Sequence, residues 1–172
     1  MTAVKLFVCL IFAIGCKSST TEPTAGSATN PAAPAATIAG SKDASKIDAC
    51  SLLKPSEIDA ALPKIGSPMK DGEGRPRDTW TSCAWHTVQS NVAEVEVEID
   101  PLDQKAFDDD ANGPGYEVVP GIGEAAHHGS IRGLLFIKQS GLKIVLRITT
   151  IRPKEEQLAA EATLAKTLLG RL

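Results

Sequence analysis

The clearest pattern in the chain lies between Val92 and Ile99, where Val95, Val97 and Ile99 alternate with Glu94, Glu96 and Glu98. A period of two puts one strand face against a core and leaves the other wet and acidic. Thr79–Val88 reads as a second strand, with Cys83 and Trp85 on one side and Ser82, Ala84 and His86 on the other. Only Gln89–Asn91 separates the two, so they pair as a hairpin. Gly133–Gln139 and Leu142–Ile151 form another hairpin, closed at Ser140-Gly141. Tyr116–Val119 is a short strand ended by Pro120-Gly121-Ile122-Gly123, and Ala125–Ile131 has no decisive period.

Helical spacing occurs in three places. Asp48 caps a turn through Cys50 and Leu53; Pro55 then opens a helix over Ser56–Leu62, with Ile58, Ala61 and Leu62 on one face and Pro63 and Gly66 as its stop. Ser67–Asp78 is dense in Gly, Pro and charge and is expected to be a surface loop. Asp100-Pro101 resembles a cap and first helical position, opening a helix to about Ala111 with Leu102, Ala106 and Phe107 inward. Pro153 opens the last helix, to about Leu169, whose apolar stripe is Leu158, Ala162, Ala165, Leu169 and Leu172. Glu155 and Glu156 suit the positive end of its dipole. The order of elements predicts an α+β domain: a mainly antiparallel sheet of about five to six strands covered by an N-terminal and a C-terminal helix.

The amino-terminal segment has a different character. Lys5 precedes an apolar run, Leu6–Ile14, too short to remain as a membrane-spanning helix, and Gly15-Cys16 follow. These residues resemble the lipobox of bacterial lipoproteins, with Ala13 where Leu is commonest and Ile14 bulkier than usual. The resemblance implies a signal peptide over 1–15 and diacylglycerol on Cys16; the alternative is ordinary cleavage near Gly15. Of the 30 residues from Lys17 to Lys46, 23 are Ser, Thr, Ala, Pro or Gly. Such a stretch buries too little surface to offset its ordering entropy, so 16–46 is expected to be a lipidated tether with a reach on the order of 30 Å. Lys17 is not the Asp that retains lipoproteins in the inner membrane of enteric bacteria, which favours the outer membrane.

What remains, 47–172, is the size of one domain with one core and carries a net charge of −5. A mildly acidic domain without a basic patch argues against nucleic acid and anionic lipid as partners. Cys9 leaves with the signal and Cys16 carries lipid, so Cys50 and Cys83 are the remaining pair. In an oxidising compartment they form a disulfide, the alternatives being a redox pair or metal ligands.

Several segments together resemble one group of secreted bacterial lipoproteins that carry a domain of unknown function: Asp48-Ala49-Cys50-Ser51-Leu52-Leu53, Pro55-Ser56-Glu57-Ile58, Cys83-Ala84-Trp85, the Val-rich strand, Gly121-Ile122-Gly123-Glu124-Ala125-Ala126 and the final helix. Lys54 stands where that group has Thr. The resemblance spans most of the domain. It implies a sandwich similar to the photosystem extrinsic-subunit and nuclear-import-factor fold and a Cys50–Cys83 bridge, and it implies no activity.

The candidates for chemistry are few. His127-His128 is the one imidazole cluster, but neighbours on a strand point to opposite faces and chelate one ion poorly. Glu124 or His86 would have to complete such a site; otherwise the pair belongs to a polar surface loop. Asp108-Asp109-Asp110 lacks the alternation of a calcium loop, and its twelfth position is Val119. Gly121-Ile122-Gly123 reads as a tight turn rather than a phosphate cradle. Glu94, Glu96 and Glu98 read as an exposed strand face. Neither GxSxG, HExxH nor Walker A occurs. Trp85 belongs beside the cysteine bridge, whereas Trp80 faces the other way and is a possible binding surface. The expectation is a non-catalytic, membrane-anchored envelope lipoprotein without metal or cofactor, docking an envelope protein, a cell-wall component or a sensor ectodomain. A small-ligand carrier or sensor would need a pocket of roughly 300 Å³ or more between sheet and helix; a metal-dependent hydrolase is the remote third.

Overall fold

A computed structural model describes residues 42–63, 65, 67–89, 93–129, 133–150 and 153–172. The expected signal, Cys16 and the expected tether as far as residue 41 lie outside the described residues. The seven strands are β1 (Glu73–Pro76), β2 (Thr81–His86), β3 (Ala93–Pro101), β4 (Tyr116–Val118), β5 (Ala125–Gly129), β6 (Leu134–Gln139) and β7 (Leu142–Thr150). The three α-helices are α1 (Pro55–Ala61), α2 (Gln104–Ala111) and α3 (Lys154–Leu169). One antiparallel sheet runs in the order β1-β2-β3-β7-β6-β5-β4. Two meanders therefore meet at its centre, where β3 lies against β7 over nine residue pairs, from Ala93↔Thr150 to Pro101↔Leu142. The α+β class and the antiparallel sheet are as expected, with seven strands instead of five or six.

The alternation read from the sequence sets the two faces of the sheet. Val95, Val97 and Ile99 of β3 share a face with Ile144, Leu146 and Ile148 of β7, Leu135 and Ile137 of β6, and Cys83 and Trp85 of β2, all buried. Over this face lie Leu52, Leu53, Ile58 and Leu62 from the amino-terminal segment and Ala160, Leu164 and Leu168 from α3. At the far end, the Arg171 guanidinium donates to Leu52 O (2.7 Å) and to the Glu57 carboxylate, joining the end of α3 to α1. Arg171 holds the Glu57 carboxyl well below the usual range, at about 2.

The opposite face is charged. Glu96 pairs with Arg147 at 2.7 Å, Asp100 with Lys143 at 3.0 Å, and His86 with Glu94 at 3.5 Å. Helix α2 approaches this face near β4 and buries Phe107.

Four local expectations need correction. The tether expected as far as Lys46 is ordered at its end, where Asp43 caps a single 3₁₀ turn, Ala44–Lys46, whose Ala44 is buried. The loop expected over Ser67–Asp78 contains β1, because Glu73–Pro76 pairs in register with Thr81–Ala84. Helix α2 starts after Asp103, whose carboxylate accepts the Ala106 N–H at 3.0 Å, since β3 continues as far as Pro101. Leu102 and Ala106 are consequently not buried with Phe107. Finally, α3 buries Ala160, Glu161, Leu164, Ala165 and Leu168, so its inward face is rotated from the stripe predicted, whose Leu158, Ala162 and Leu169 form the margins.

Gly133 explains how closely α3 can settle. Its φ is +61°, and a Cβ there would overlap Gln157 Nε2 and stand 2.5 Å from Ile148 O. Those two groups are themselves bonded, Gln157 Nε2 donating to Ile148 O at 2.8 Å. Gly133→Ala is expected to cost about 2 kcal/mol through the left-handed backbone and the lost Gln157 contact. Urea unfolding measures this, and an unchanged midpoint would mean that α3 has room to retreat.

Candidate functional site

Strand β5 carries the His127-His128 dipeptide between β4 and β6, in register as Val118↔His127↔Phe136 and Glu117↔His128↔Leu135. The two rings point to opposite faces, as strand geometry requires. Both, however, are buried, His127 at 1% and His128 at 3% exposure, so the surface-loop expectation is wrong. A run containing two adjacent histidines gives no apolar signal, although the strand lies inside the sheet and each face is covered by a helix.

On the α2 side, His127 stacks on Phe136 with ring centres 5.1 Å apart, and Phe107 and Tyr116 meet it edge-on at 4.6 and 5.3 Å. This is tight aromatic packing. Burial among the rings lowers the imidazole pKa and favours the neutral form.

On the other side, His128 meets Glu161 of α3, which is 1% exposed. His128 Nε2 and Glu161 Oε2 lie 3.0 Å apart, yet neither makes an aligned hydrogen bond among the described residues, nor does His128 Nδ1. The geometry is close contact without a directed bond. Gln157 Nε2 donates to Glu161 Oε1 at a long 3.3 Å. Burial pushes the Glu161 carboxyl up to about 7, and burial again, with Lys154 next, lowers His128. At neutral pH the imidazole is therefore uncharged and the carboxyl is close to its midpoint.

Above this pair opens a cleft of about 190 Å³, walled by Val119, Pro120, Ile122, Leu135, Leu158 and Ala162. Glu117 and Val118 of the edge strand stand at its rim, Val118 being 76% exposed. The turn Pro120–Glu124 shapes the wall: Gly121 and Gly123 both have positive φ, Ile122 turns inward, and the Glu124 carboxylate accepts the Ser140 N–H at 2.7 Å. The GxG segment is thus the tight turn expected of it.

The remaining candidates are dispersed. Trp80 is half-buried, with the Arg77 guanidinium 5.7 Å above its ring. Glu124 and His86, which would have had to join the histidines around a metal, are held by Ser140 and Glu94. Asp108 and Asp109 bond Gln104 and Lys105 one turn back along α2. Glu96 and Asp100 are engaged in the cross-strand ion pairs. Cys50 and Cys83 form the disulfide, with Cα atoms 5.1 Å apart. Sequence reading missed Glu161, because a charged residue is normally taken to mark the wet side of a helix. Compared with known proteins, the chain matches no family model, no curated protein and no solved structure.

Proposed function

We propose that this protein is a cell-envelope lipoprotein, anchored by lipid on Cys16, whose domain docks a protein partner and catalyses nothing. The single observation carrying the docking half is the end of the sheet, where Val118, exposed on an edge strand, borders an apolar cleft with a polar floor. Apolar surface next to a concavity is what an interface needs. The anchored half is supported by the Met1–Cys16 pattern, and the Cys50–Cys83 disulfide suits an oxidising compartment. No helix among the described residues is long and apolar enough to cross a membrane. The likeness to secreted bacterial lipoproteins with a Cys-Ser-Leu-Leu … Cys-x-Trp pattern supports the same reading and brings the sandwich comparison with it. The outer membrane is the preferred destination, and the acidic domain does not suit nucleic acid.

The carrier reading is less favoured, because a 190 Å³ cleft falls short of what a carried molecule requires. Trp80, capped by Arg77, is a poorer docking surface than the β4 edge.

Two measurements test the proposal. Radiolabelled fatty acid fed to cells should enter the native protein, and Cys16→Ser should abolish the label and release the protein from membranes. Crosslinking from a photoreactive residue at position 118 should capture a discrete envelope protein, while the same residue at position 88, also exposed, should not. Label retained in Cys16→Ser, or equal capture from both positions, would defeat the reading.

A further inference from the structure

We infer that the cleft beside β4 receives a lysine or arginine side chain from the docked partner, its stem against Val119, Ile122, Leu135 and Leu158 and its cationic head at the Glu161–His128 floor. The inference rests on the docking reading and names the chemistry the partner must present.

Size points to a single side chain. A cavity of about 150 Å³ holds a molecule as large as benzene. At about 190 Å³ the cleft therefore suits one long residue and little more. Its walls are apolar, the surroundings in which lysine and arginine stems pack while the charged tip seeks polar groups.

The floor selects the tip. His128 Nδ1, His128 Nε2 and Glu161 Oε2 are buried and lack a directed hydrogen bond among the described residues. They are already closed to water, and a neutral apolar side chain in the cleft would leave them unsatisfied. An acidic one would meet Glu161 and, at the rim, Glu117. An ammonium or guanidinium instead brings several donors to a carboxylate and a neutral imidazole. The net charge of −5 over 47–172 attracts a basic partner from a distance as well.

The surrounding groups permit this. Glu117 lines the cleft from β4 and pairs at 3.5 Å with Lys154 of the first turn of α3. Their effects on His128 oppose one another, Lys154 lowering and Glu117 raising its pKa. Among the described residues, Gln157 of α3 donates to Glu161, while β6 and β7 contribute Leu135 and the Ile148 carbonyl. An arriving cation consequently acts on Glu161, drawing it into the ionised form, and binding should strengthen as pH rises through the carboxyl's titration.

The test uses the full chain in detergent micelles, its imidazoles labelled with nitrogen-15, titrated with the blocked peptide Val-Lys-Val. The peptide should shift the His128 signals and bind at least tenfold more tightly than the same peptide with norleucine or glutamate at its centre. That preference should fade in Glu161→Gln and on lowering the pH to about 5.5. Ala162→Phe, which fills the cleft but leaves the carboxyl, should abolish binding and guards against a folding defect in the first variant. Equal binding of the norleucine peptide, no binding of any peptide, or a preference that survives in Glu161→Gln would overturn the inference. So would n-butylammonium binding as tightly as the peptide, since a free amine would then be the occupant. Loss of the cleft assignment would leave the fatty-acid and crosslinking results standing, so the two proposals fail separately.

Discussion

Glu161→Gln is expected to stabilise the protein by up to about 3 kcal/mol at pH 8 and by almost nothing below pH 4.5. The cause is the burial of a carboxyl whose only described hydrogen bond is the long one from Gln157. Its pKa is about 7 in the folded chain against an ordinary 4.5. Between those values the folded state keeps a proton that the unfolded state gives up, so the native protein loses stability as pH climbs from about 4.5 to about 7. The amide keeps the shape and the Gln157 neighbour without the titration. His127 and His128 act in the other direction: burial lowers both from 6.5, so their contribution is intact above that value and lost as pH falls. Comparing the two proteins by urea unfolding at a series of pH values cancels the contribution of His127. A gain of the same size at every pH would show that the titration of Glu161 is not its cause.

Removing the Cys50–Cys83 bridge is the second large effect. It spans 33 positions, and opening such a loop should cost about 3–4 kcal/mol through the greater freedom of the unfolded chain. Cys83 is fully buried, at the same face of β2 as Trp85. The double variant Cys50→Ser, Cys83→Ser should therefore unfold at lower urea, with fluorescence of the buried indole reporting the transition. Treating the native protein with a reductant should reproduce the shift. A variant as stable as the native protein would mean that packing of Leu52 and Leu53 alone fixes the amino-terminal turns to the sheet.

The parts of the fold visible in the sequence are those where periodicity and local chemistry agree. Val95, Val97 and Ile99 announced β3, Ser140-Gly141 announced the β6–β7 turn, and Pro153 marked the start of α3. The errors arise where tertiary packing overrides a local signal. Asp100-Pro101 has the chemistry of a helix start, yet β7 offers partners as far as Leu142, and the ladder continues. Gly and Pro in 73–76 disguise an edge strand, which needs pairing on one side only. In α3, leucines border both sides of the buried face, so the stripe could be drawn on either margin. The site was hidden for the same reason: His128 and Glu161 come from elements 33 positions apart in sequence and are brought together only when α3 lies over β5.

The position of the disulfide has a mechanical consequence. A load reaching the domain from its amino-terminal side first meets the two small turns at Ala44–Lys46 and Ala49–Ser51. The first can peel away, but Cys50, inside the second, passes the tension directly into β2, a strand hydrogen-bonded on both sides. A pull from that side would thus unravel only the residues ahead of Cys50 before it is shared across the whole ladder, leaving the cleft at the opposite sheet edge undistorted.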